Sequence, residues 1–466
     1  MLRRILDSPW LYFGAAALLV VAGLLSQVRV RLPDRSAGSV DEISALRERD
    51  DLNVVFVLID TLRADHLSSY GYSRKTSPFL DSLAQTGIRF SRVEAQSSWT
   101  KTSMASLWTG FWPSQTGVLR WDHSLPESAV MPAEHFREAG FRTAGLYRNS
   151  WLVPKFGFGQ GFETYMKPVP AATPARFEKK NPSAHPLQGS DADVTVSAIE
   201  FLKAHGKERF FLYLHLMDVH QYAYDAKIPA FGTSYVDSYD TSIAWVDHNL
   251  GVLYAKLAEA GLLERTVIVV AADHGEAFGE RGFEGHARDV HAEVTETPLI
   301  ISLPFALEEP VVVDDLVANV DIMPTILDLV GLPPLPGAVG RSLVPLIVAA
   351  GSGENAPLEP RPAYAELDRT WGATEQKPAL VVSLRNDDWK YIHSVDGSIP
   401  EQLYDKREDP GEKTNVAAEQ SVPLAALVQE VSRYLALAPA PFGSAEQVEV
   451  GAEELERLRA LGYVIK

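Results

Sequence analysis

Three apolar runs end in residues that bind metals or move protons. "NVVFVLID" ends in Asp60, "RFFLYLHLMDVH" closes on Asp218 and His220, and "TVIVVAADH" ends in Asp273 and His274. Asp60, Asp273 and His274 supply two hard oxygens and an imidazole, a set that suits a divalent cation such as Zn²⁺ or Mn²⁺. Three protein ligands leave a further position for a hydroxyl, which loses its proton more readily beside a cation. The chain has no cysteine, which excludes thiolate nucleophiles, thiolate metal sites and disulfides. A hydroxyl is the candidate nucleophile, because "SSWTKTSMASLWTG", residues 97–110, reads as a loop entering a short helix that presents one. Ser97, Ser98, Thr100 and Ser103 are the candidates. Ser103 reads as a first-turn residue, whereas Thr100 stands at the helix entrance, where the positive helix end stabilises an alkoxide.

Distant residues meet only if secondary structure delivers them. Each of the three runs is β-branched or aromatic and of strand length, the pattern of central parallel strands buried on both faces. Helical patterns lie between them, at "TSPFLDSLAQTG", "MPAEHFREAG", "SDADVTVSAIEFLKAHG" and the long stretch beginning "SYVDSYDTSIAWVDHNLG". This alternation predicts a doubly wound, mostly parallel α/β sheet. Ligands of such sheets bind beyond the carboxyl ends of the strands, where acids and histidines from separate strands converge. One Asp after one strand is commonly a helix cap. Three strands ending alike point to a site.

The 466 residues are 46% apolar and 22% charged, an ordinary globular balance long enough for a large domain and an appendage. A formal charge of −18 argues against a nucleic-acid partner, so an anionic substrate needs a locally positive site. Near the N-terminus, "PWLYFGAAALLVVAGLLS" is uncharged and long enough to span a bilayer. No small-x-small cleavage site follows, which favours an uncleaved membrane anchor over a signal peptide. Arginines flank both sides, at Arg3 and Arg4 before and Arg29, Arg31 and Arg35 after, so charge alone does not orient it. The expected organisation is an anchor over 1–30, a linker over 31–50, a catalytic domain over 51–335, an antiparallel C-terminal subdomain over 336–440 and a helix over 441–466. The subdomain rests on the Pro/Gly break "GLPPLPGAVG" and the alternating segments "ALVVSLRND", "WKYIHSV" and "EQLYD".

In its ordered motifs the chain resembles the sulfatase family within the alkaline phosphatase superfamily, from residue 53 to about 465. "VFVLIDTLRADHLSSYGY" is similar to the family's first metal-binding strand and "SSWTKTSMASLWTGFWPSQTGV" to its nucleophile segment. "DHGEAFGERGFEGHARDVHAEVTETPLIISLP" is similar to its second metal-binding segment. Later stretches, "VDIMPTILDLVGLPPLPGAVGRSLVPLI" and "EQLYDKREDPGEKTNV", resemble its late core and C-terminal signature. The resemblance places Thr100 in the nucleophile position, Thr102 where Pro is usual and Met104 where Arg is usual. These departures speak against the family's formylglycine modification. Asp60-Thr61 and Asp273-His274, in place of Asp-Asp and Asp-Asn, favour Mn²⁺ or Zn²⁺ over an oxygen-rich Ca²⁺ cage, with Ca²⁺ or Mg²⁺ as the alternatives. The implied function is a metal-dependent hydrolase or transferase of phosphate mono- or diesters, with sulfate-ester hydrolysis and non-catalytic binding as alternatives.

His220 and His286 resemble the family histidines that contact the transferred group or protonate the leaving oxygen. A second metal on Asp218, His220 and His286 is an alternative reading. Lys101, beside Thr100, and Arg63 and Arg288 are candidates for holding the anionic group; Asp218 is a further substrate-site candidate, with orienting His220 or capping the next helix as its alternative role. The subdomain is expected to form one wall of the crevice. The anchor implies a catalytic domain outside the cytoplasm, in a bacterial cell facing the periplasm, and an envelope lipid or glycan as the ester's alcohol. Trp99, Trp108 and Trp112 read as packing residues. His123, His135, His205, His248 and His393 read as structural or exposed, and His291 and Glu293 as non-catalytic.

Overall fold

The computed structural model describes residues 35–176, 187–355, 358–370 and 377–451. The expected anchor over 1–30 and most of the expected helix over 441–466 fall outside them. Among the described residues no helix is long and apolar enough to cross a membrane.

Eight strands form the main sheet: β1 (Asn53–Ile59), β2 (Ile88–Glu94), β3 (Arg142–Tyr147), β4 (Thr164–Met166), β5 (Phe210–Leu216), β6 (Thr266–Ala271), β7 (Leu299–Ser302) and β8 (Val311–Ala318). Their spatial order is β8-β2-β7-β6-β1-β5-β3-β4. Neighbours pair in parallel except at β7, which is antiparallel to both β6 and β2, so the sheet is mixed with one reversed strand. The three runs singled out by sequence are the adjacent central strands β6, β1 and β5. Every residue in them is buried, which only a sheet covered on both faces allows.

Register brings the ligand-bearing ends together. Leu58 pairs with Ala271, so Asp60 and Asp273, each two residues on, leave the sheet side by side. Leu58 also pairs with His215, which puts the β5 imidazole on the same face as the Asp60 side chain.

Five helices matter most for the site and its support. They are α1 (Asp41–Ala45), α2 (Pro78–Gln85), α3 (Thr100–Thr109), α4 (Asp191–His205) and α5 (Tyr235–Glu259). Helix α3 is buried along its whole length. It ends at Gly110, whose φ of 70° closes the turn in the left-handed region that glycine adopts freely. Helix α4 opens with a capping box from Ser190 and Asp193.

Residues 36–50 are not the expected free linker. Ala37–Gly38 pairs with Ala306–Leu307, and Ile43 and Leu46 enter the core. Their i, i+3 spacing gives α1 and the turn after it an apolar edge to bury.

The C-terminal sheet is antiparallel, with β9 (Ala363–Asp368), β10 (Leu380–Arg385), β11 (Trp389–Ser394) and β12 (Gln402–Asp405) in sequential order. Helix α6 (Ser421–Leu435) lays Leu427, Val431 and Tyr434 on it. The described residues from Ser36 onward form one compact unit. A buried ion network fastens the small sheet to the large one. Glu94 at the end of β2 accepts from Lys390 Nζ at 2.7 Å and Arg385 Nη1 at 3.0 Å. Lys406 bonds Glu412 at 2.9 Å and lies 2.9 Å from Glu296.

Burial alone would raise the Glu412 carboxyl, but Lys390 and Lys406 more than offset it and bring its pKa down to about 2. Its contribution is therefore present above pH ~4.5 and lost as pH falls toward 2, about 3 kcal/mol in all. Urea unfolding at a series of pH values should show stability falling with acid in the wild type. The Glu412→Gln protein should lack that part of the slope.

Candidate active site

At the carboxyl ends of β1 and β6, Asp60, Asp273 and His274 are wholly buried. Their ligand atoms all lie within 4.8 Å of one another. Thr100, the first residue of α3, brings Oγ1 to 3.2 Å from His274 Nε2 and 3.4 Å from Asp60 Oδ2. Asp60 and His274, from strands far apart in sequence, thus meet around one point with Thr100.

Two buried carboxylates this close present an electrostatic problem. Burial alone would raise the Asp60 carboxyl, but His220, His215 and His274 outweigh it and hold it below the usual carboxylate range. Asp273 is pushed up, first by burial and then by the charge on Asp60. Asp60 Oδ1 and Asp273 Oδ2 are buried and receive no hydrogen bond. Such atoms are costly unless something positive meets them. His274 Nδ1 lies 2.9 Å from the Gly275 carbonyl, so its proton sits there and Nε2 presents a bare lone pair. Two bare carboxylate oxygens, a bare imidazole nitrogen and a hydroxyl fit a divalent cation held by Asp60, Asp273, His274 and Thr100.

Two further imidazoles stand beside this group. The His286 ring centroid is 4.6 Å from that of His274 and 5.0 Å from that of His220. His286 Nδ1 is 2.7 Å from Glu276 Oε2, and Glu276 Oε1 accepts from Tyr222 at 2.9 Å and Tyr235 at 3.2 Å. The Gln221 side-chain amide lies 3.0 Å from His220 Nδ1.

The profile of the family described as Sulfatase matches residues 52–332. The chain belongs to the sulfatase family. The profile described as N-sulphoglucosamine sulphohydrolase, C-terminal, matches residues 279–436. Arylsulfatase K of Danio rerio is 24% identical over 432 residues, 79% of this chain and 81% of that protein. Arylsulfatase K of Gallus gallus is 36% identical over 181 residues, 38% of this chain, and the match spans only 33% of that relative. Phosphonate monoester hydrolase of Agrobacterium radiobacter has the same fold, with a TM-score of 0.67 at 20% identity over 86% of this chain and 98% of that one. This sulfatase-family fold is that of a superfamily of hydrolases that bind a divalent metal.

Several residues expected at the anion lie elsewhere. Asp218 accepts from Arg148 Nη1 at 2.6 Å, the Asp191 amide at 2.7 Å, Trp245 Nε1 at 2.9 Å and the Ser190 hydroxyl. With both oxygens committed, it braces the turn before His220, and a second metal on Asp218, His220 and His286 finds no carboxylate to spare. The Arg63 guanidinium holds Asp65 at 2.7 Å and Glu280 at 2.6 Å, so it is a clamp between loops. Arg288 is exposed, its guanidinium 5.8 Å from the Phe283 ring centroid. Lys101 is buried; its Nζ donates to the Trp121 carbonyl at 2.7 Å and sits 3.4 Å from the Phe156 ring centroid.

The sequence reading missed Asn149, His215 and Glu276. Asn149, just beyond β3, donates from Nδ2 to Asp60 Oδ2 at 2.7 Å and to Thr100 Oγ1 at 3.3 Å. Its signal was present, a polar residue past a fourth strand end. His215 Nε2 lies 3.0 Å from Asp60 Oδ2. Nothing short of the β1–β5 register reveals that.

A second group of ligand-type residues among the described residues, Asp289, His291 and Glu293, is occupied by protein partners. Glu293 pairs with Arg281 at 3.0 Å, while His291 bridges Asp289 at 2.8 Å and Gln402 at 2.9 Å.

Replacing Arg148 by Met would leave Asp191 and Asp218 buried without their countercharge. The expected loss is about 3–5 kcal/mol of unfolding free energy, read from the denaturation midpoint.

Proposed function

We propose that this sulfatase-family hydrolase cleaves the ester of a tetrahedral oxyanion by direct attack of Thr100. The observation that supports this is the placement of Thr100 Oγ1 within hydrogen-bond reach of His274, Asp60 and Asn149 at the start of a buried helix. The names of its relatives, arylsulfatases, support a sulfate ester as substrate. A second reading, a phosphate mono- or diester, is favoured by the nucleophile itself. Threonine lacks the geminal hydroxyl by which a hydrated aldehyde expels sulfate, so water must attack the intermediate's central atom. A phosphoryl centre tolerates that second displacement well.

The chain's own groups divide the labour. Asn149 Nδ2 holds the Thr100 oxygen beside Asp60, and the N-terminus of α3 favours its anionic form. With the Gln221 amide donating to Nδ1, the neutral His220 ring carries its proton on Nε2, where it serves the leaving alcohol. Glu276 draws the His286 proton to Nδ1 and leaves Nε2 to accept a proton from the attacking water. Asp60, Asp273 and His274 would hold a divalent cation, which would supply Lewis-acid stabilisation of the charge that develops. Transfer to a second alcohol in place of water uses the same steps. An N-terminal anchor would place this chemistry outside the cytoplasm, on an envelope lipid or glycan.

Trapping with labelled aryl phosphate and aryl sulfate should give a covalent adduct on Thr100 that the Thr100→Ala protein never forms. Turnover in Thr100→Ala should fall by at least about 1,000-fold. Adduct persisting without Thr100 would refute the mechanism. Comparing kcat/KM for aryl sulfate, phosphate and phosphodiester decides between the two ester readings.

A further inference from the structure

The ligands of this centre are not free to coordinate in any mode. Asp60 Oδ2 already accepts from Asn149 Nδ2 at 2.7 Å and His215 Nε2 at 3.0 Å. Asp273 Oδ1 accepts from the backbone N–H groups of His274 at 3.0 Å and Thr61 at 3.3 Å. Each carboxylate therefore has one oxygen engaged by protein and one bare, Asp60 Oδ1 and Asp273 Oδ2. The Thr61 hydroxyl is turned to the Asp60 carbonyl at 2.6 Å and adds no ligand in this arrangement. Behind His215, the Tyr213 hydroxyl lies 2.7 Å from Nδ1, where it donates and leaves the ring proton on Nε2 for Asp60. His215 and Asn149 are 0% and 1% exposed, so water does not compete for these positions.

We infer that His215 and Asn149 make the centre selective for a small cation of the Zn²⁺ class and against Ca²⁺, by confining Asp60 to single-oxygen coordination. Ca²⁺ takes six to eight oxygen ligands, often with a bidentate carboxylate. Here the protein offers two carboxylate oxygens, one hydroxyl and one nitrogen. Zn²⁺ is satisfied by three such protein ligands with a fourth position left for the reacting oxygen. His215 and Asn149 are positioning residues, because they act on the ion only through Asp60. The inference rests on the cation being held by Asp60, Asp273 and His274, and is independent of whether Thr100 is the nucleophile.

The test titrates the chelator-stripped, full-length protein with Zn²⁺, Mn²⁺ and Ca²⁺ in competition with a chromophoric chelator. The wild type should bind Zn²⁺ at least about a hundredfold more tightly than Ca²⁺. His215→Phe and Asn149→Ala should each lose about 10–100-fold in Zn²⁺ affinity. Ca²⁺ affinity should hold or rise in them, so the ratio narrows. His215→Gln, which keeps an N–H donor, should recover part of the ratio. A purely structural defect weakens all three ions together and leaves the ratio unchanged, and that outcome in both variants overturns the inference. So does a wild type that prefers Ca²⁺, a result that needs no variant to fold. Tight Zn²⁺ binding without any covalent adduct would remove the threonine mechanism and leave this inference standing. An adduct formed by a Ca²⁺-selective protein would do the reverse.

Discussion

Two carboxylates buried within a few ångströms of each other cannot both remain ionised unless positive charge is supplied. Asp60 and Asp273 are placed in that position by parallel strands in register. What surrounds them reads as the response. His215 and Asn149 donate to Asp60, the first residue of a buried helix is aimed between the two carboxylates, and one oxygen of each is left bare for a cation. The hydroxyl of Thr100 stands where these charges converge, 3.4 Å from Asp60 Oδ2 and 3.2 Å from His274 Nε2.

Holding such an arrangement demands a stiff frame, and the frame is built largely from other buried charges. Arg148 ties Asp191 and Asp218 together, which locks the start of α4 to the turn that carries His220. Glu94, Lys390, Arg385, Glu412 and Lys406 weld the C-terminal sheet to the edge of the main one. Removing one partner of a buried pair is more damaging than never having had it. These networks therefore fix geometry more than they add net stability.

Strain gathers at the same place. Among the described residues four non-glycine positions have positive φ: Thr61, Tyr222, Ala287 and Glu412. Three of them adjoin or nearly adjoin Asp60, His220 and His286. A non-glycine residue in the left-handed region costs free energy that only a well-determined surrounding can hold. The backbone is bent there because each turn must aim one side chain inward while its own polar groups stay bonded. Thr61, for example, returns its amide to Asp273 and its hydroxyl to the Asp60 carbonyl.

Patterns that depend on nearest neighbours were legible in the sequence. Continuous β-branched runs announced buried strands, their intervening helices announced a mostly parallel sheet, and residues at the strand ends, Asp60, Asp273 and His274, announced a shared crevice. The absence of cysteine removed a thiolate from the candidate nucleophiles. Whatever depends on register, or on which partner a charged group finds, belonged to the tertiary structure. His215 looks like one more strand residue until β1 and β5 pair, and Asn149 looks like a loop residue until it reaches Asp60. Asp218 and Arg63, both expected at the substrate, are consumed by Arg148 and by Asp65 with Glu280. The apparent linker joined the core because Ile43 and Leu46 had apolar surface to bury. Side-chain type limits what a residue can do; only the fold sets the distances at which charges attract, and those distances decide which bonds it makes.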